Sequence, residues 1–204
     1  MATTPTRLSK QARREQLLDT AVAIVRTRGA DALTLVTLAE EAGVSRPIAY
    51  DHFATRSGLL LALHRRLDER HRATITQALR DAAPGAGEVA RVISTAYFAC
   101  ATDMPELSAV SAALKGNPEM EAIQHELTAG YAHLMATALL PYSGLAPQAL
   151  RLRCLGLLGA AEAIAAELNG ERTTGSHAVT ALTGLIVGGL DAPPDVRDEC
   201  SGAV

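Results

Sequence analysis

The sequence predicts an all-α protein, and three observations support that prediction. Of its 204 residues 48% are apolar but only 3% are aromatic, so the core must consist mostly of Leu, Ala, Val and Ile. Ala and Leu are strong helix formers, and no long run of alternating β-branched residues occurs. Apolar residues recur three and four positions apart, which is the period of a helix with one buried face.

Short local signals bound the first four predicted helices. Ser9 can cap the first, and Gly29 is a stop signal just past its last turn. Thr34 can cap a short second helix, after which Gly43 makes a turn in which a positive φ is favourable. Ser45 can cap a third helix. The predicted spans are 9–28, 34–42, 45–53 and 55–82.

A break at Pro84–Gly87 separates these helices from five more. Proline, glycine and asparagine clusters again provide the boundaries, and they predict about nine helices in all. The later spans are 88–102, 106–115, 118–140, 146–169 and 175–190. We expect residues 1–8 to be loosely structured, and the Pro- and acid-rich tail from Asp191 to be frayed. The sequence contains no internal repeat.

Charge divides the chain into two unlike parts. The net charge is −3, but residues 1–80 hold 13 Lys/Arg and 8 Asp/Glu, whereas residues 81–204 hold 6 and 14. This asymmetry indicates a basic module suited to phosphates, followed by an acidic module with another task.

Cysteine usage and hydropathy exclude several classes. Cys100, Cys154 and Cys200 are far apart and form no CxxC or Cys/His ligand spacing, so we expect neither a metal site nor a cofactor. An odd number of cysteines without a disulfide framework fits a reducing cytoplasm. The N-terminus has no signal-peptide segment, and no apolar run approaches the ~18 residues of a membrane span.

Residues 34–53 have the pattern of a helix-turn-helix. Two short helical segments flank Gly43, and the second opens on Ser45-Arg46-Pro47. The proline falls in the first turn, where a missing N–H costs little. In this motif the first helix supports a second that enters the DNA major groove. The pattern therefore predicts a sequence-reading DNA-binding protein.

Residues 9–65 resemble the N-terminal domain of the tetracycline-repressor-like (TetR) family of bacterial regulators. The resemblance implies a DNA-binding domain at residues 1–55, linked by helix four to a ligand-binding and dimerisation domain at residues 56–204. Beyond residue 65 the chain matches the family only in length and helical character. The matching elements are a first helix ending in Gly29, Leu33-Thr34, Leu38-Ala39, Ala42-Gly43-Val44-Ser45, Tyr50-Asp51-His52-Phe53, and Arg56 followed by Leu59-Leu60.

The third helix has a predicted inner and outer side. Ala49 and Phe53 lie four residues apart and should pack inward. On the outer side, Arg46 can bind guanine or a phosphate and Ile48 can contact a thymine methyl group. By resemblance, Tyr50, His52 and Arg56 contact phosphates, and the hydroxyls of Thr34 and Thr37 can donate to them. The candidate DNA-binding residues are Thr34, Thr37, Ser45, Arg46, Pro47, Ile48, Tyr50, His52 and Arg56.

Two positions depart from the family pattern. Ile48 stands where the family often has a polar or small residue, which implies an unusual base preference. Asp51 places a carboxylate near a polyanion. It can accept a hydrogen bond from a cytosine amine or pair with a neighbouring arginine, and we favour the ion pair.

The resemblance also implies a ligand cavity among helices five to eight. Residues like its candidate lining residues are more often plain core than pocket, and Glu162 can line a pocket, lie in a dimer seam or face solvent. His125 and His133 are more than two turns apart, too far to form a pair of zinc ligands. The candidates are Tyr97, Cys100, Met104, Leu107, Leu114, Tyr131, Leu134, Met135 and Glu162.

The last two helices are rich in small residues. Glycine costs about 1 kcal/mol relative to alanine within a helix, and close approach of another helix can offset that cost. By resemblance these helices form a four-helix seam with a second subunit, although close packing within one chain is the alternative. The candidate interface residues are Gly156, Gly159, Ala160, Gly184 and Gly188.

The sequence therefore predicts a ligand-responsive regulator. We expect a homodimer that binds a near-palindromic double-stranded DNA operator, represses transcription and is released by an unidentified small molecule, without a membrane partner. An enzyme would need a nucleophile, metal or acid-base constellation, and no catalytic residue is identified. A helical adaptor with a decayed DNA motif is the other alternative, supported only by Asp51.

Overall fold

The computed structural model describes residues 8–191, without the side chains of residues 101 and 102. This part of the chain is all α-helical, as predicted. The predicted arm at residues 1–7, the tail beyond Asp191 and Cys200 lie outside the described residues. Nine α-helices follow one another: α1 (Lys10–Arg28), α2 (Leu35–Glu41), α3 (Arg46–Phe53), α4 (Arg56–Asp81), α5 (Ala86–Asp103), α6 (Pro105–Ala113), α7 (Pro118–Leu139), α8 (Pro147–Asn169) and α9 (Gly175–Gly188).

The predicted helix boundaries are correct to within two residues. Ser9 caps α1 by accepting a hydrogen bond from the Ala12 N–H, and Gly29 ends the helix at φ 81°. Two short 3-10 turns, Ala30–Ala32 and Leu140–Tyr142, were not predicted.

Contacts divide the chain into two compact units. The first comprises the described part of Met1–Thr74 together with Ala99–Gln124, and the second comprises Ile75–Phe98 with the described part of His125–Val204. The divisions fall inside α4, α5 and α7 rather than between residues 55 and 56. The domain boundary predicted from the sequence, between residues 55 and 56, stays a prediction of where the DNA-binding domain ends.

The first unit buries the apolar face of each of its N-terminal helices. On α1 the predicted stripe Leu17, Ala21, Ile24 and Val25 is at most 4% exposed. Helix α2 packs against α3, and α1 packs against α2 and α6. On α4 the predicted inward residues Leu59, Leu60, Leu63 and Leu67 are all buried.

The second unit has a core centred on the pair α8 and α9, which pack against each other. Buried residues from these helices join Phe98 of α5 and Leu139 of α7 in one apolar cluster. Within the described residues no helix is long and apolar enough to cross a membrane.

One ion pair in the first unit joins α1 to α6. Arg26 donates from its guanidinium to the carboxylate of Glu106, whose side chain is only 1% exposed, whereas that of Arg26 is 65% exposed. Glu106 lies in the first turn of α6, where the helix dipole also favours a negative charge. Removing the cation would leave a buried carboxylate without its partner.

We therefore expect unequal effects from the two halves of this pair. Arg26→Met should lower the free energy of unfolding by about 3 kcal/mol, because it leaves a buried charge uncompensated. Glu106→Gln should cost less than about 1 kcal/mol, since the freed arginine can be hydrated. Denaturant melts of both variants and of the double variant measure these values.

Arg28→Met is the control, because its partner Glu41 lies 2.9 Å away but is half exposed. It should change the free energy of unfolding by less than about 1 kcal/mol. Equal losses for Arg26→Met and Arg28→Met would contradict the role assigned to burial of Glu106.

Candidate DNA-binding surface

Helix α3 buries one side and exposes the other. Ala49 is 0% and Phe53 is 6% exposed, which confirms that both point inward. The outer side carries the candidate base-reading residues: Ser45, Arg46, Pro47, Tyr50 and Asp51 are exposed, and Ile48 and His52 are half-buried. The sequence pattern therefore placed the outward side of α3 correctly.

In the turn before α3, Gly43 has the predicted conformation but Ser45 does not make the predicted hydrogen bond. Gly43 has φ 64°, a conformation that L side chains adopt only with strain. Ser45 occupies the N-cap position with extended backbone, but its side chain makes no capping hydrogen bond. The prediction that the hydroxyl of Ser45 caps α3 was wrong, and the hydroxyl lies exposed beside Arg46 instead.

The corner between α3 and α4 is tightly constrained. The Thr55 N–H donates to the Phe53 carbonyl at 2.6 Å, and Ala54 between them has φ 58° and ψ −52°. This is a γ-turn in a strained region of backbone conformation. At Gly58 a Cβ would lie 2.3 Å from the same Phe53 oxygen. No larger residue fits there unless the backbone moves.

Arg14 of α1 holds the C-terminal end of α3. Its Nη1 donates to the His52 carbonyl at 2.8 Å, and its guanidinium carbon lies 4.8 Å from the centroid of the Phe53 ring. A cation at a helix C-terminus satisfies an orphan carbonyl and is favoured by the dipole. Sequence analysis missed Arg14, although its spacing of three and four residues from buried Leu17 and Leu18 places it on the inward side of α1.

Arg56 has a structural role that the resemblance did not imply. Its Nε donates to the Leu33 carbonyl and its Nη2 to the Ala30 carbonyl, both at 2.9 Å. The planar guanidinium of an arginine can donate to two carbonyls at once, whereas the ammonium of a lysine is a compact point charge without this fork geometry. In the free chain Arg56 fastens α4 to the segment before α2, and the predicted phosphate contact remains untested.

Thr34 and Thr37 form a capping box at the start of α2. The Thr37 N–H donates to the Thr34 hydroxyl at 3.0 Å, and the Thr34 N–H donates to the Thr37 hydroxyl at 2.9 Å. The hydroxyl of Thr37 also donates to the Ala32 carbonyl at 2.8 Å. Its only proton is therefore used within the chain. The Thr34 hydroxyl lies 3.0 Å from that of Thr37 and donates to it, so in the free chain the hydroxyl protons of both predicted phosphate donors are engaged.

Charged side chains surround the outer side of α3. Arg46 pairs with Glu40 at 3.0 Å, and both side chains are more than 60% exposed. Such a pair contributes little to stability and can exchange for another partner. Asp51 forms no ion pair with any described residue, and the favoured ion pair with an arginine stays a prediction.

His52 lies beside a cluster of cations from the start of α1. Burial, followed by the charges of Arg14 and Lys10, holds the pKa of His52 below its usual value, although Asp51 raises it and Arg13 lowers it slightly. The imidazole is therefore mostly neutral at pH 7 and offers one N–H donor. The Arg13-Arg14 dipeptide was the available sequence signal for this basic cluster.

The candidate ligand residues fall in both units. Of those in the first unit, Leu114 is buried and Cys100, Met104 and Leu107 are half-buried. In the second unit Met135 belongs to the apolar core and Tyr97 packs against it. Tyr131 and Leu134 are half-buried, whereas Glu162 is exposed on α8. No group of three or more possible metal ligands occurs within the described part of the chain.

The candidate interface residues lie on an open side of α8 and α9. Gly156, Gly159, Gly184 and Gly188 are exposed and Ala160 is half-buried. A Cβ built at any of these four glycines would meet no atom of another residue within 4 Å. The alternative of close packing within one chain therefore does not explain these glycines.

The helix-turn-helix and its exposed basic residues define a DNA-binding protein, and comparisons with known proteins give the family. The model of bacterial regulatory proteins of the tetR family matches residues 17–63. A curated relative, the HTH-type transcriptional activator FasR of Mycolicibacterium smegmatis, is 38% identical over 74 residues, which cover 36% of this chain and 34% of that protein. The match thus spans about a third of the relative's length.

Solved structures extend the likeness over most of the chain. Multidrug binding protein EbrR complexed with imidazole aligns with a TM-score of 0.62 and 25% identity, covering 91% of this chain and 98% of that one. A protein of unknown function from Rhodococcus sp. RHA1 aligns with a TM-score of 0.70 and 24% identity, covering 93% and 99%. The match at residues 17–63 is to the DNA-binding domain of tetR-family regulators, and most of the chain shares the all-α fold of TetR-like proteins.

The close approach at Gly58 generates a prediction for the corner. Gly58→Ala should lower the free energy of unfolding by about 2 kcal/mol, because the new methyl group must displace the Phe53 carbonyl. Thermal and denaturant melts measure this loss. Gly87→Ala in α5 is the control, since its Cβ would meet no atom within 4 Å. A Gly58→Ala variant as stable as Gly87→Ala would show that the corner is not constrained as described.

Proposed function

We propose that this regulator is a homodimeric repressor that binds a near-palindromic operator and is released by a small molecule. The observation that carries the DNA-reading part is the outer side of α3, where exposed Arg46 stands beside half-buried Ile48. Arg46 can exchange its Glu40 partner for guanine, and Ile48 can contact a thymine methyl group. Asp51, without an ion pair in the described chain, is available to accept from a cytosine amine.

Phosphate contacts would supply most of the salt-dependent affinity. Exposed Tyr50 can donate its hydroxyl proton and neutral His52 can donate one N–H. Thr34 can donate to a phosphate if its hydroxyl turns away from Thr37. The basic cluster of Lys10, Arg13 and Arg14 adds positive potential beside His52, which supports approach of a phosphate.

Dimerisation is supported by the open side of α8 and α9. Leu152 is 70% and Leu185 is 48% exposed in the single chain, and they share helices with the four unfilled glycines. A second copy of these helices could approach closely enough to bury both leucines and to offset the helix-weakening effect of the glycines. Two α3 helices related by two-fold symmetry would then reach successive major grooves.

Release by a small molecule is supported by the relatives. EbrR is described as a multidrug binding protein complexed with imidazole or ethidium, which supports a small organic effector here. The direction of regulation is a separate matter, because FasR is described as an activator. A promoter fusion measured with and without the regulator decides between repression and activation.

Arg46→Ala should weaken binding to the preferred genomic fragment by about 1–3 kcal/mol, because it removes a bidentate base contact. Gel-shift titration against bulk competitor DNA measures this change. Arg172→Ala in the second unit removes the same charge from an exposed pair with Glu167 and should leave affinity unchanged. If no fragment is preferred over competitor, or if both variants behave alike, sequence-specific reading by Arg46 is wrong.

Leu152→Asp should weaken dimerisation by at least about 100-fold, because it would bury an unpaired charge in the seam. Light scattering after gel filtration should then show monomers. The apparent affinity for the operator should fall, because fewer dimers are present to bind it. Leu140→Asp is the control, since Leu140 is 43% exposed outside α8 and α9. A Leu152→Asp protein that remains dimeric would refute this seam.

A further inference from the structure

Helix α4 carries a buried polar stripe that the proposed DNA-binding surface does not use. His64 is 5% and Asp68 is 4% exposed, and His71 on the same side is half-buried. These residues follow buried Leu60 at the helical period, so they point into the first unit. Polar side chains this deeply buried normally have every polar atom paired.

The hydrogen bonds around His64 fix which nitrogen carries its proton. Ser111 of α6 donates to the Leu107 carbonyl at 2.8 Å, which uses the only proton of its hydroxyl. The Ser111 oxygen, 3.1 Å from His64 Nε2, must therefore accept from that nitrogen. His64 is the Nε2–H tautomer, and its Nδ1 is a hydrogen-bond acceptor. Nδ1 is buried without a partner among the described residues.

The carboxylate of Asp68 acts on both His64 and Cys100. Burial lowers the pKa of His64 despite the opposing effect of Asp68, so the imidazole is neutral at pH 7. Burial, with Asp68 and Asp103, raises the pKa of the Cys100 thiol to about 11. A buried acceptor can be satisfied only by a hydrogen-bond donor, and the charge of Asp68 that acts on His64 disfavours an anion there.

We propose that His64 Nδ1 is the polar anchor of the effector site, and that it accepts a hydrogen bond from an N–H or O–H group of a neutral or cationic small molecule. The chemistry excludes carboxylate groups from this position. Only the word effector depends on the proposed function. Binding of a hydrogen-bond donor at His64 Nδ1 can be tested on the free protein, whether or not the protein regulates transcription.

Helix α6 can connect this anchor to the DNA-binding helices. Ser111 ties α6 to His64 of α4, and Glu106 at the other end of α6 ties it to Arg26 of α1. Because Nδ1 is enclosed, a ligand that reaches it must displace neighbouring groups, including the side of α6 that carries Ser111. A displaced α6 changes the Arg26–Glu106 contact. The ligand shifts the DNA-binding state only as far as it binds the two arrangements unequally.

Four ring compounds of similar size test the anchor: benzylamine, benzyl alcohol, toluene and benzoate. We expect the amine and the alcohol to bind the free protein about tenfold more tightly than toluene, because only they satisfy the buried acceptor. Benzoate should bind no better than toluene. Titration followed by NMR should also show the His64 Nδ1 resonance moving with the two donors alone, and comparing amine with alcohol tells whether the charge matters.

Two substitutions distinguish the roles of the two ring nitrogens of His64. In His64→Gln the amide can still donate to Ser111 but no acceptor stands at Nδ1, so the preference for donors should disappear. In His64→Asn the side-chain oxygen can stand near Nδ1, so part of the preference should remain. His125→Gln, at an exposed histidine, is the control and should behave as wild type. Circular dichroism shows whether each variant is folded.

Equal binding of all four compounds, or a donor preference that survives in His64→Gln, would overturn the proposal. Such a result would show that Nδ1 is occupied by water only. Operator titration in the presence of benzylamine then tests the link to regulation, and affinity should fall in wild type but not in His64→Gln. Donor binding that leaves operator affinity unchanged would overturn the effector role, whereas a protein without any preferred DNA fragment contradicts the proposed function instead.

Discussion

A helix of eight residues forms too few hydrogen bonds to persist by itself in water, so α3, the proposed DNA-reading helix, depends on the groups that hold its C-terminal end. Arg14 binds the His52 carbonyl and lies over the Phe53 ring. The strained Ala54 turns the chain sharply, and only a glycine at position 58 lets α4 start so close to the Phe53 carbonyl. These contacts orient the outer side of α3, and every proposed base contact requires that orientation.

On the candidate DNA-binding surface some polar side chains stabilise the fold, and others are exposed and available for the proposed contacts with DNA. Arg56 and Thr37 donate to backbone carbonyls near the start of α2, so their hydrogen bonds stabilise the helix-turn-helix itself. Arg46 and Tyr50 have no comparable commitment, since the Arg46–Glu40 pair and the Tyr50 side chain are exposed. Loss of Arg56 or Thr37 would disturb the position of α2, whereas loss of Arg46 would remove a proposed base contact and leave the support of α3 unchanged.

Local signals explain why the helices could be predicted so closely. Ser9, Gly29, Thr34 and Gly43 act on backbone groups within a few residues, so their effect is readable from neighbouring sequence. The inward positions of Ala49 and Phe53 follow from helical spacing alone. Family resemblance supplied the function, because no local rule separates a DNA-reading helix from one that only packs.

Long-range partners could not be predicted in the same way. Arg26 and Glu106 are 80 residues apart, and His64 and Ser111 are 47 apart, so only the folded chain brings them together. A helical wheel could have placed His64 and Asp68 on the buried side of α4 with Leu60. It could not have shown that Nδ1 of His64 has no hydrogen-bond partner among the residues that the structure describes. Arg46 pairs with Glu40, six residues before it, rather than with Asp51 on its own helix.

Hydroxyl-radical footprinting on the preferred genomic fragment tests most directly whether α3 reads DNA as a symmetric pair. The account predicts two protected patches related by a dyad, with centres about 34–36 Å apart, one turn of the duplex. A single patch without dyad symmetry, or uniform protection along the fragment, would contradict it.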